Sequence, residues 1–422
     1  MKLYFTLTAA ALLCSTTYAN ESVNTNQPIE KSEAVNVSYD KGYLVFGTNS
    51  NSFSMKFDGR IMYDVGAVSS DKNDFVENNE IRRARFAIKT RFSDTWAGEF
   101  DVDFTENEPE MKDMWISYIG LDNFEFKVGN HKPFFSLSEL TTSRWATFME
   151  TSMITDASAS GRRLGLSGSY SNDDVFIGTS IFGDEVGINN RDPEGDGSEP
   201  GVHEKYSYSL RALYRPYVNE DATRLFHVGF NYLNLSPQSD DDSKMRLRVR
   251  QESKILDYRL LNTGKVKNVK EQESQGIEIA ARYDKFMMQA EYIKNTFNRI
   301  KSEDQDVKTD GFYVETSYMI LGSGRNYNLS DGEFGPIYPE HINGNLEIAI
   351  RYSTINLNDV NAEVYGGSSD NITLALNWYA HKNMVLRLNH TIASLDQYAD
   401  GDGDYIGNDD VSITGLRFQF MF

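Results

Sequence analysis

The chain has 422 residues, with 42 Lys+Arg against 62 Asp+Glu, a formal charge of −20 and a mean hydropathy of −0.51. That balance excludes nucleic-acid binding, which rests on Lys and Arg neutralising phosphates. No stretch after residue 20 approaches the roughly 18 apolar residues of a membrane-spanning helix, and 13% aromatics beside nine prolines exclude a disordered chain.

Residues 1–19, MKLYFTLTAAALLCSTTYA, form an export signal peptide. Lys2 supplies the positive start, Leu3 to Leu13 the short apolar core, and Thr17-Tyr18-Ala19 a small-x-small cleavage site. Losing Lys2 takes the charge from −20 to −21. A lipid anchor on Cys14 is disfavoured by Leu13, where a small residue is expected. As Cys14 is the single cysteine, the mature chain should have neither disulfide nor thiol chemistry. Residues 20–41 are polar without an apolar period and are expected to form a mobile periplasmic lead-in; the main domain then spans 42–422.

From Phe53 onward apolar residues recur at every second position, the spacing of a strand. In 53–67, Phe57, Ile61, Tyr63 and Val65 alternate with Lys56, Asp58, Arg60 and Asp64. In 81–93, Ala84, Phe86, Ile88 and Phe92 oppose Arg83, Arg85, Lys89 and Arg91. In 95–105, Trp96, Phe100, Val102 and Phe104 oppose Glu99, Asp101 and Asp103. Sixteen such segments run from 53–67 to 410–422, most of them 9 to 13 residues long. That is the length a tilted strand needs to cross a bilayer, whereas soluble strands average about five or six residues. Short connectors such as Leu121-Asp122 and His381-Lys382 interleave with long ones at 132–160, 184–203 and 235–274, the pattern of an outer-membrane barrel. In hydrocarbon every backbone N–H and C=O must pair internally, so a sheet spans only as a closed barrel. The reading is all-β: a transmembrane antiparallel barrel of sixteen strands in the bacterial outer membrane. Its terminal aromatic, Phe422, suits recognition by the barrel-assembly machinery.

The chain resembles the phosphate-selective porin O/P family of Gram-negative outer membranes over about residues 40–422. The resemblance rests on NNEIRRARFAIKTRF at 78–92, KVGNHKPFFSLSELTTSRW at 127–145, GSGRNYNLSDGEFGPIYPEHINGNLEIAIRYSTINLND at 322–359 and GGSSDNITLALNWYAHKNMVLRLNH at 366–390. It accounts for the long connector 321–343, where strand parity predicts a short periplasmic turn. It implies a homotrimeric channel narrowed by its third long loop, here 132–160. Lysines at the constriction and an arginine ladder on the wall are implied too. The loop lysine matches only Lys132; the ladder-like residues are Arg83, Arg85, Lys89 and Arg91. Around Lys132 lie Glu139, Glu150 and Asp156, more acid than anion selectivity calls for.

The expected throat is Lys132, Glu139, Arg144 and Glu150 from the loop, with Arg83, Arg85, Lys89 and Arg91 facing Glu99, Asp101 and Asp103 on the wall. Those wall charges, about 5 Å apart when directly opposed, are read either as salt bridges that stiffen the barrel or as a transverse field across the lumen. Loop 235–274 carries Lys244, Arg246, Arg248 and Arg250 at alternate positions. It is read first as a solvated hairpin and second as a positive vestibule that steers anions. Loops 184–203 and 395–409 are strongly acidic and suit bridging to lipopolysaccharide through divalent cations.

No catalytic, metal or cofactor site is expected. Asp400, Asp402 and Asp404 alternate as in a calcium loop, but Tyr405 and Val411 occupy its Gly and Glu positions. The six histidines lack ligand spacing, and no nucleophile elbow or phosphate loop occurs. A barrel protease or phospholipase is the competing class. The expected solutes are small and hydrophilic, with anions such as phosphate or polyphosphate as one possibility. A general or weakly cation-preferring porin that doubles as a surface receptor is the alternative.

Overall fold

The computed structural model describes residues 33–50, 52–106, 108–186, 205–237, 243–301, 303–339 and 341–422. The expected signal peptide 1–19, residues 20–32 of the expected lead-in and 187–203 of the acidic loop lie outside the described residues. The strands are β1 (Ser54–Ser70), β2 (Glu80–Arg91), β3 (Trp96–Asp103), β4 (Glu110–Leu121), β5 (Phe124–His131), β6 (Arg163–Ser171), β7 (Val175–Phe182) and β8 (Ser207–Val218). They continue as β9 (Arg224–Leu235), β10 (Val269–Tyr283), β11 (Phe286–Arg299), β12 (Val307–Leu321), β13 (Asn345–Asp359), β14 (Val364–His381), β15 (Met384–Leu395) and β16 (Asp410–Met421). Each pairs antiparallel with the next, and β16 returns to β1 in register from Met421↔Arg60 to Val411↔Ser70. The sixteen-stranded barrel is therefore closed, as the alternation predicts. No helix among the described residues is long and apolar enough to cross a membrane; the strands do the crossing.

The packing is inverted relative to a water-soluble protein. Ile61, Phe100, Leu374, Trp378, Phe418 and Phe420 point outward and are exposed. Arg211, Arg215, Arg351, Arg387 and Arg417 are among the largest fully buried side chains. A lipid-facing exterior and a polar interior require this arrangement. At the short-turn end, the Phe422 ring lies over Gly59, where an added Cβ would sit 2.2 Å from the ring. Glycine is thus the residue that lets the last aromatic lie flat on the wall.

Several boundaries move. The segment expected at 275–284 begins at Val269, and that expected at 370–380 begins at Val364. The first extension, with Lys270, Glu271, Gln272, Glu273 and Ser274, carries polar residues on both faces, so period two does not announce it. The lead-in also departs from expectation: Val35–Asp40 pairs with Tyr43–Thr48 as a hairpin, and Val45↔Lys56 to Gly47↔Ser54 join it to β1.

Three connectors fold into the lumen. Residues 132–162 carry two short helices, α1 (Leu137–Leu140) and α2 (Met153–Ser158). Residues 236–268 form two small ribbons, Lys244–Met245 with Val266–Lys267 and Arg248–Val249 with Leu261–Asn262. Leu247, Val249, Ile255, Leu256, Leu260 and Leu261 are buried with Ile154 of α2 in one cluster. The solvated hairpin expected at 235–274 is therefore corrected: its apolar alternate residues need a dry face, and the lumen supplies it. Two of its bases are engaged within the loop, Arg246 with Asn262 at 2.7 Å and Arg250 with Asp257 at 2.6 Å. The third intruder is the connector 322–344, entering from the short-turn end with Tyr327–Asn328 paired to Glu333–Phe334.

Candidate channel and its constriction

The third loop is pinned from the far wall. Glu291 of β11 accepts hydrogen bonds from Ser136 Oγ (3.0 Å) and from the backbone N–H groups of Leu137 (3.0 Å) and Ser138 (2.8 Å), at the start of α1. These orphan donors otherwise lack partners. Glu252 of loop 236–268 takes the N–H of Met153 at the start of α2 (3.2 Å) and pairs with Arg351 at 2.7 Å. Arg387 donates to the carbonyl of Arg144 (2.9 Å), Arg417 to that of Met149 (2.5 Å) and Asn377 to that of Thr147 (2.8 Å). The connector 322–344 is held likewise: Arg211 donates to the carbonyls of Asp331 (2.9 Å) and Gly332 (2.7 Å), and Arg325 pairs with Glu347 at 2.8 Å and reaches the Trp145 carbonyl.

What remains open is a cavity of about 800 Å³ between this filling and the wall of β1 to β7. Its lining holds eleven lysines and arginines against ten carboxylates, in a chain whose formal charge is −20.

The structure brings most of the expected throat residues to this cavity. Lys132 and Glu139 line it and pair at 3.0 Å. Burial lowers the pKa of the Lys132 ammonium, with Glu139 opposing. Arg144 crosses to Asp58 of β1. Burial alone would raise the Glu150 carboxyl, but Arg82 and Arg417 hold it well below the usual carboxylate range. On the wall, Arg85 meets Asp103 at 2.7 Å and Asp101 at 3.9 Å, and Lys89 meets Glu99 at 3.0 Å. The salt-bridge reading of these residues is thereby seen in the geometry. Arg83 faces the cavity with no ion-pair partner among the described residues, and its Nε makes no hydrogen bond. Arg91 does not join the lining: it is exposed at the short-turn end of β2, opposite Ala97. Asp103 is buried behind Arg85 and stays off the cavity surface.

Sequence reasoning missed Arg82. It lies on the even face of β2 with Ala84, Phe86 and Ile88, so strict alternation turns it to lipid. A bulge between the pairs Met62↔Arg83 and Tyr63↔Ile81 leaves it unopposed and re-aims it inward. There it forks onto Glu150 with contacts of 2.8 and 2.9 Å. Arg60, opposite Arg85 across the β1–β2 pair, was readable as a polar-face residue but not as a throat residue. It reaches Thr142 Oγ1 at 3.3 Å, and its Nε is unpartnered. Asp331 and Glu333 reach the cavity from the 322–344 connector, which no local pattern announces. Burial, with Asp331 adding to it, pushes the Glu333 carboxyl up to about 8.

Comparison with known proteins agrees with this architecture. The family model for phosphate-selective porins O and P matches residues 55–422. The chain belongs to the phosphate-selective porin O and P family. Within it and beside it, the chain is 22% identical to Porin O of Pseudomonas aeruginosa, over 90% of this chain and 91% of that one. It is 29% identical to an uncharacterized protein of Caulobacter vibrioides, over 90% of this chain and 76% of that one. Its fold is similar to that of the anion-selective porin from Comamonas acidovorans, at a TM-score of 0.54 and 12% identity, covering 88% of this chain and all of that one. The protein is thus an outer-membrane porin, a channel and not an enzyme.

Proposed function

We propose that this porin passes small hydrophilic anions, phosphate among them, by passive diffusion. The observation that carries the reading is the pair Arg60 and Arg83. Both line the cavity, and neither has an ion-pair partner among the described residues. A guanidinium in that state offers donors that an oxyanion can accept without first displacing a carboxylate. The narrow, low-dielectric lumen amplifies such a field. The name of the family, phosphate-selective porins O and P, supports phosphate as one solute.

The test is the reversal potential of the purified protein in a planar bilayer across a KCl gradient, followed by added phosphate. Anion selectivity with phosphate block supports the proposal. Cation preference, or no preference and no block, makes the protein a general porin that shares only the family frame.

A homotrimer is part of the same proposal. β3, β5, β6 and β7 have only eight or nine residues, at or below the roughly 9–11 that a tilted strand needs to cross hydrocarbon. A neighbouring copy of this chain covers that low face in the proposal. Sedimentation in detergent at the mass of one chain would remove this part.

A further inference from the structure

On the outside of the barrel, at its short-turn end, the N-terminal hairpin stands against β15, β16, β1 and β2. It is tethered at both ends and stands clear between them. At one end Val45↔Lys56 to Gly47↔Ser54 continue the sheet. At the other, Asn383 donates to the carbonyls of Gly42 (2.9 Å) and Met421 (2.8 Å) and accepts from Tyr39 Oη (3.0 Å). Between the tethers lies a groove of about 600 Å³, walled by Leu44 from the hairpin and by Phe57, Phe86, Met384, Phe420 and Phe422 from the barrel. Its surface is almost wholly apolar, and it is distinct from the lumen.

Met384, Phe420 and Phe422 are exposed members of the lipid-facing rows, and Phe57 and Phe86 stack at 5.8 Å between ring centroids. The groove therefore sits at the edge of the hydrocarbon, where water is a poor filler for an apolar surface. It lies on a flank whose strands, β15, β16, β1 and β2, have 12 to 17 residues, long enough to face the bilayer, and no residue of the low strands β3 and β5 to β7 lines it. One end is polar. Tyr39 and His381 line it, and Lys382, just outside the lining, holds its ammonium 4.0 Å over the Tyr39 ring. An apolar slot closed by a cation at the headgroup level complements one chemical class, an acyl chain carrying a phosphate head.

We propose that the groove between the N-terminal hairpin and the barrel binds a glycerophospholipid of the inner leaflet, its acyl chain along Leu44 and the four phenylalanines and its phosphate at Lys382. The hairpin then acts as a clasp around one annular lipid at the rim, which fixes the rim to the leaflet.

The protein, reconstituted with phosphatidylethanolamine and phosphatidylglycerol and returned to mild detergent, is examined by native mass spectrometry. Wild type is expected to retain one phospholipid per chain. Leu44→Asp places a charge in the slot and should lower retention at least about tenfold, from the loss of an apolar wall residue. Lys382→Glu should lower it about fivefold or more, since one lysine near a headgroup contributes an attraction of that order. Both positions lie outside the barrel strands, and unchanged single-channel conductance verifies that the variants are inserted. Equal retention in wild type and both variants, or none in wild type, overturns the proposal. Loss of subunit association in Leu44→Asp without change in lipid overturns it too, and assigns the groove to a second copy of the chain.

Discussion

The two halves of the lumen wall use the same residue for opposite ends. On β1 and β2, the buried Arg60 and the half-buried Arg83 border the cavity and have no carboxylate partner among the described residues. On β13, β15 and β16, Arg351, Arg387 and Arg417 occupy equivalent inward positions, and there they donate to loop carbonyls or pair with Glu252, Asp64 and Glu150. The difference lies in what stands opposite. Where the third loop, the 236–268 loop and the 322–344 connector fill the lumen, an arginine becomes a strut, since a loop buried there must find partners for its carbonyls. Where the lumen stays open, the same side chain becomes part of the channel surface. An inward arginine is therefore not a channel residue until the filling is known.

The sharpest way to break this comparison is Arg417→Ala. It leaves Asp64 and part of Glu150 without their cation in a buried setting, a loss of about 3–5 kcal/mol when a buried pair is broken from one side. A large drop in the denaturant or thermal midpoint, read by heat-modifiable electrophoretic mobility, is expected. A midpoint within experimental error of wild type would mean that the filled half is not held by its arginines.

The open half should behave in the opposite manner. Arg60→Glu combined with Arg83→Glu should reverse ion selectivity toward cations in a KCl gradient. Stability should fall by less than in Arg417→Ala, because these groups give up no ion pair. Unchanged selectivity would place the throat elsewhere; a collapse of stability would erase the distinction between the two walls.

The smallest expected effect concerns Glu333, which faces Asp331, Arg211, Lys132 and Glu278. Its carboxyl is neutral below a pKa of about 8 and gains a negative charge as pH rises through that value. The lumen then becomes less positive, so anion preference should weaken between mildly acidic and alkaline pH. Glu333→Gln should flatten that dependence. An identical pH profile in the variant would show that the connector's carboxyl is not sensed by passing ions.

Much of the frame was legible because the bilayer imposes a local rule. Each strand must alternate, so Phe86 and Ile88 against Arg85 and Lys89 announce a wall with two different solvents. The cross-strand pairs Arg85–Asp103 and Lys89–Glu99 followed from the same rule, since a short turn fixes the register of adjacent strands. The rule fails where it is locally suspended. A bulge turned Arg82 inward against its parity, and the strand end left Arg91 at the rim. The throat loop was legible through family resemblance at Lys132, whereas the carboxylates of the 322–344 connector carried no signal at all.

By itself, then, the sequence determined a closed barrel of sixteen strands, its polar interior and the ladder of charges on its second and third strands, because period two and hydrocarbon together leave no other solution. Only the tertiary structure decided which inward charges meet the solute. That depends on three connectors distant in sequence filling the lumen and leaving a cavity against β1 to β7, and burial of a loop is a property of the assembled lumen, encoded in no single strand.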